Sequence, residues 1–188
     1  WNCPADADPK ETCTTKPWSN TWHGCVLSRS YPLNINDQDY NTDRVEGFYG
    51  KACPSAIQPL TNNHKIVDQA IDKLTAGNDT YIPTGLVWGY RALSPSAPFD
   101  EGMAYDDLKD ENGRKILILM SDGANSRSLK SNGRHDGSDQ ALSDGYTLEV
   151  CDQAKSEEIE IYTIAFDLAD VTTKTMLETC ATSSDYFF

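Results

Sequence analysis

The sequence lacks any long apolar run. The longest, Ile116–Met120 within Lys115-Ile116-Leu117-Ile118-Leu119-Met120-Ser121-Asp122-Gly123, holds five residues, far short of the roughly 20 that a membrane-spanning helix needs. The chain opens on Trp1 without a signal-peptide pattern, so a processed chain or a fragment is expected, with any membrane anchor outside it. Basic residues are scarce. Lys and Arg number 16 against 29 Asp and Glu, a net charge of −13. Such a surface repels a phosphate backbone and an anionic membrane, so no nucleic-acid partner is expected. The bland reading of the charge is solubility of an exported protein. No Cys-x-x-Cys pair occurs, no histidine stands close enough to complete a zinc knuckle, and no Gly-x-Ser-x-Gly elbow is present. The three histidines, His23, His64 and His135, all lie in polar segments. A hydrolytic set of Asp122, His135 and Ser126 or Ser128 is conceivable. Nothing in the sequence sets a base against a nucleophile, so the chain is expected not to be an enzyme.

What is present is cysteine. Six in 188 residues indicate disulfides and an oxidising, extracytoplasmic compartment. Local spacing favours Cys3 with Cys13, Cys25 with Cys53, and Cys151 with Cys180, the last two on separate late helices. Proline concentrates early, at Pro4, Pro9, Pro17, Pro32, Pro54 and Pro59. Residues 1–60 therefore read as a loop-rich, disulfide-stapled unit, with Trp1, Trp18 and Trp22 as plugs of a small core. Residues 61–188 read as the ordered part.

Helices and strands then alternate. Thr61 and Asn62 are possible caps of a helix in which Ile66, Val67, Ala70, Ile71 and Leu74 share one face. A turn at Gly77-Asn78-Asp79 leads to a second helix that begins near Pro83, carries Leu86, Tyr90 and Leu93 on one side, and stops at Pro95. Residues 96–114 read as polar loop. The run Ile116–Met120 is too short for a helix and does not alternate, so it predicts a strand covered on both faces. Residues 123–144 read as loop, and 146–158 as a helix with Leu148, Cys151 and Ala154 on one side. Residues 159–166 form a second β-prone run. Asp170 can cap a last helix on which Thr173, Leu177 and Cys180 line up. This order is that of an α/β fold with a parallel sheet and right-handed crossovers.

In such sheets ligands collect at the carboxyl ends of the strands. Asp122 stands there, on a turn allowed by Gly123, as a hard oxygen donor suited to Mg²⁺ or Ca²⁺. Thr80, just before another helix, offers a hydroxyl to the same crevice. Asp-Gly is also a common turn and Asp a common cap, and residues 116–123 alone do not separate these readings. Asp136, Asp139 and Asp144 fit no calcium-loop spacing and read as a solvated acidic loop.

"KILILMSDGANS" resembles the strand and third metal motif of the von Willebrand factor A domain, and "GNDTYIPTGLVWGYRALSP" resembles its second motif. With "WHGCVLSR", "IQPLT", "LVWGYRALSPSAPFDEGMAYDD", "CDQAKSEEIEIYTIAF" and "LETCATSSDYFF", residues 22 to the end are similar to TadG-like proteins of tight-adherence (Flp) pilus assembly. The resemblance implies a Rossmann-like parallel sheet flanked by helices. It implies a metal-ion-dependent adhesion site holding Mg²⁺ or Ca²⁺ through Thr80 and Asp122. It also implies a non-enzymatic cell-adhesion role toward a protein partner, a pilus or surface component, at the periplasm or bacterial cell surface. The family's first metal loop, Asp-x-Ser-x-Ser, is not found. Asp136-Gly137-Ser138-Asp139-Gln140 begins like it but lacks the last Ser and follows no strand. The first strand, first helix and second strand are expected upstream of Trp1. A metal-free scaffold with a vestigial site is the alternative.

Overall fold

The computed structural model describes residues 22–38, 40–41, 43–49, 55–77 and 79–188. It is a mixed α/β structure. Strand β1 (Trp22–Val26) pairs antiparallel with β2 (Gly47–Tyr49). Then come helices α1 (His64–Ile71), α2 (Ile82–Leu93) and α3 (Tyr105–Asp110). Strand β3 (Ile116–Ser121), helix α4 (Gln140–Ser156), strand β4 (Glu160–Ala165) and helix α5 (Val171–Cys180) complete the order. The described residues therefore contain one β-α-β unit.

β3 and β4 run parallel, from Ile116 opposite Glu160 to Ser121 opposite Ala165. On the far side of β4, Phe187 bridges to Thr163, and the Phe188 amide donates to the Thr163 carbonyl at 2.9 Å. β4 is thus interior, and β3 is an edge among the described residues. Helices α2, α4 and α5 cover one face of this sheet. Leu117 and Ile161 point into a core with Leu86, Val87 and Tyr90 of α2 and Val150, Cys151 and Ala154 of α4. The Thr163 hydroxyl reaches the Leu177 carbonyl at 2.8 Å. The Cys151–Cys180 disulfide joins α4 to α5. Cys25 is also disulfide-bonded. Cys3, Cys13 and Cys53 lie outside the described residues, as do Trp1 and Trp18.

Several expectations need correcting. The apolar run at 116–120 is covered on one face only. Ile116, Ile118 and Met120 are 46%, 65% and 63% exposed, while Leu117 is 6% exposed. Pattern alone called for two covered faces, but no described strand or helix lies over the even-numbered side. The amphipathic stripe of α1 is real but unburied: Ile66, Val67 and Ile71 are exposed, and α1 packs on no other described helix or strand. Its cap is Asn63, whose side chain accepts from the Lys65 amide, rather than Thr61 or Asn62. Leu74 falls beyond the helix. Trp22 is exposed, so it plugs no core. Residues 105–110, read as loop, form α3, whose first turn gains from Asp106 and Asp107 near the helix N-terminus. α4 begins at Gln140, six residues before the expected start at 146, because Asp139 accepts from the Leu142 amide at 3.0 Å and caps it. The cap at Asp170 is as expected, with its carboxylate taking both the amide and the hydroxyl of Thr173. Those bonds hold the Asp170 carboxyl below its ordinary range, the hydroxyl contributing most.

Candidate functional site

The carboxyl end of β3 is where the chain gathers chemistry. The strand closes at Ser121, whose hydroxyl donates to the Gly123 carbonyl at 2.8 Å and tightens the turn that carries Asp122. Asp122 is exposed. The loop then doubles back against the segment before α2. The Ser126 and Arg127 amides both donate to the Thr80 carbonyl, at 3.0 and 3.1 Å, and the Thr80 amide donates to the Ser126 hydroxyl at 2.8 Å. Arg127 forms an ion pair with Asp79 at 2.8 Å. Buried Asn125 secures the junction. Its Oδ1 accepts from the Ile82 amide at 2.7 Å, one of the donors that the first turn of α2 leaves without a helical partner. Its Nδ2 donates to Asp144 of α4 at 2.8 Å.

The residues expected as metal ligands therefore sit on two loops that are stitched together. Two oxygens are few for a hard divalent ion, which takes six or so. Among the described residues no group of three or more His, Cys, Asp or Glu side chains could hold a metal. The acidic loop residues are dispersed: Asp139 caps α4, Asp144 accepts from Asn125, and Asp136 pairs with Lys130 and Arg134 at 3.2 and 3.1 Å. The hydrogen bond from Lys130 is the main reason the Asp136 carboxyl is held low.

His135 hydrogen-bonds to neither of the serines of the conceivable hydrolytic set. Ser126 is tied to Thr80, and the Ser128 hydroxyl accepts from the Asp139 amide at 3.0 Å. His135 instead places its Nε2 2.7 Å from the Ser28 hydroxyl and 3.3 Å from that of Thr84, with Tyr81 against its ring at 4.5 Å. Burial pushes the His135 pKa down, with Asp136 opposing. Among the described residues no carboxylate bonds to that imidazole and orients it. Ser28 touches a cavity of about 230 Å³ that His135 does not line. The Ser28–His135–Thr84 contact was invisible in the sequence because its members are over 50 residues apart. It joins residues 27–30, α2 and the loop after β3. Gly133 adds to this junction: its carbonyl accepts from the Ser28 amide, and at φ +77° a side chain there would be strained and would meet the Ser28 carbonyl at 2.7 Å.

A second polar cluster was missed as well. Arg91 is buried and donates to the Asn36 and Leu33 carbonyls at 3.0–3.1 Å. Burial, and secondarily Arg29, lowers its pKa to about 10. Asp37 accepts from Tyr90 at 3.3 Å and from Ser94. These contacts bind residues 33–38 to α2.

No helix among the described residues is long and apolar enough to cross a membrane. No protein-family model matches the chain, and no curated protein matches it either.

Proposed function

We propose that the chain is a non-enzymatic, extracytoplasmic protein-interaction domain of the von Willebrand factor A type, from the TadG-like proteins of Tad (Flp) pilus assembly. The observation that carries this reading is the junction of two loops at the carboxyl end of a parallel strand, where the loop that carries exposed Asp122 is joined to Thr80 by three hydrogen bonds through Ser126 and Arg127. Ligands collect at this edge of a parallel sheet. The paired Cys151 and Cys180 and the bonded Cys25 support an oxidising compartment. A protein partner, a pilus or surface component, would bring an acidic group toward a cation held over Asp122 and Thr80. Such a cation needs further oxygen donors from outside the described residues.

The reading is tested by calorimetric titration with Mg²⁺ and Ca²⁺, and by pull-down from an envelope extract with and without chelator. Weak or absent binding of the ion alone is expected, together with a partner retained in Ca²⁺ or Mg²⁺ and lost with EDTA or in Asp122→Ala. Tight binding of the ion by these 188 residues would refute the incomplete ligand set. Retention indifferent to EDTA and to Asp122→Ala would favour the second reading, a metal-free scaffold. Turnover in an ester or peptide screen would refute the non-enzymatic assignment.

A further inference from the structure

Five places in the sequence set Asp or Asn directly before Gly: Asn112-Gly113, Asp122-Gly123, Asn132-Gly133, Asp136-Gly137 and Asp144-Gly145. Such pairs share one spontaneous reaction. The glycine nitrogen attacks the side-chain carbonyl carbon that precedes it, and the lack of a Cβ leaves the backbone free to make the approach. A fold can stop the attack in two ways. It can bind the amide proton to an acceptor, or it can pack the peptide so closely that the nitrogen cannot swing toward the side chain.

Both restraints act at three of the pairs. The Gly113, Gly133 and Gly137 amides donate to the Leu108, Lys130 and Ser128 carbonyls at 2.8, 2.9 and 3.0 Å. An added Cβ at these glycines would collide with Leu108, Ser28 and Ser128, so each peptide is fixed by its surroundings. The fourth pair, Asp144-Gly145, lies inside α4, where the helical ladder takes the amide and Asn125 holds the Asp144 carboxylate at 2.8 Å. Asp122-Gly123 differs. Among the described residues the Gly123 amide reaches the Ser121 hydroxyl at 3.3 Å, longer than an ordinary N–H···O bond. The firmer bond from Ser121, to the Gly123 carbonyl, restrains the next peptide and leaves this nitrogen alone. Nothing lies within 4 Å of a Cβ placed at Gly123, and Asp122 is exposed.

We infer that Asp122 is a site of isoaspartate formation, the pair among these five that folding leaves reactive. The Gly123 nitrogen bonds to Cγ of the Asp122 carboxyl in its acid form. The carboxyl hydroxyl leaves with the amide proton as water, and a five-membered imide remains. Water then adds to one of the two imide carbonyls. Breaking the bond from nitrogen to Cγ restores aspartate. Breaking the bond from nitrogen to the main-chain carbonyl carbon routes the chain through Cβ and Cγ and leaves a carboxylate on Cα. Water lost in the first step is regained in the second, and no oxidant or reductant takes part. The product carries its carboxylate one methylene closer to a lengthened main chain. Loss of a cation ligand is a consequence that rests on the metal reading; the isomerisation does not.

The test is ageing of the whole chain in warm buffer with EDTA, folded and in parallel in urea. Peptide mapping with electron-transfer fragmentation then measures isoaspartate at each of the five pairs. Position 122 should react at a similar rate in both samples. The other four should be slowed roughly tenfold or more by folding, because each must first open locally. Gly123→Ala places its methyl group in open space, so it keeps the fold, and it should lower the yield at 122 severalfold by narrowing the backbone's freedom. A folded chain without isoaspartate at 122 overturns the inference. So does equal slowing at all five pairs, or a yield at 122 unchanged by Gly123→Ala. With EDTA present and no partner added, none of these outcomes bears on the metal reading.

Discussion

The side-chain oxygen of Asn125 lies 2.7 Å from the Ile82 amide, so one buried amide group spans the loop after β3 and the start of α2. Asn125→Ala leaves the buried Ile82 amide without its partner and takes one donor from half-buried Asp144. A loss of about 2–3 kcal/mol in unfolding free energy is expected, read from denaturant titration. Chelator-sensitive retention of a partner should weaken in parallel, because this bond joins the loop after β3 to the start of α2.

Neighbouring residues of β3 should respond very differently. Leu117→Ala opens a cavity in the core and should cost about 2–5 kcal/mol. Ile118→Ala removes a side chain that is already 65% exposed and should cost well under about 1 kcal/mol in the monomer. Equal losses at dilute concentration would show that the open face is covered in solution.

The Cys151–Cys180 bond closes a loop with a sequence separation of 29. Replacing both cysteines with Ala should cost about 3–4 kcal/mol by the chain-entropy estimate, measured against the oxidised parent in denaturant.

His135 makes stability depend on pH. Its folded-state pKa lies below the ordinary value because burial penalises the imidazolium. The unfolded chain therefore takes up a proton first as pH falls through about 6.5. The contribution of neutral His135 is complete above that pH. It declines as pH falls and levels off once the folded-state pKa is passed. His135→Gln should flatten this part of the profile, which thermal melts between about pH 7.5 and 5 would record.

The helices and strands of residues 61–188 were largely legible because their signals are local. Asp170 caps α5 within three residues, and the Leu86–Tyr90 spacing marks the inner face of α2 whatever lies elsewhere. The two loops of the candidate site were legible for the same reason, since Asp-Gly after an apolar strand is a short pattern. What failed depended on distant neighbours. Leu117 and Ile118 look alike in sequence, and only the placement of α2 and α4 buries one and leaves the other open. The periodicity of α1 predicts a face without saying what will lie against it. Ser28 and His135 form their contact from positions 107 residues apart, and no spacing rule reaches that far.

The isolation of α1 has a consequence for how the molecule opens. Its eight residues are too few to hold a helix in water unaided, and no other described helix or strand supports them. Its amides should exchange with deuterium long before those of α4 and β4, and an added protease should cut between 55 and 77 first, leaving the β-α-β unit intact. The chain would then behave as two pieces of unequal persistence, the smaller of which melts without disturbing the larger.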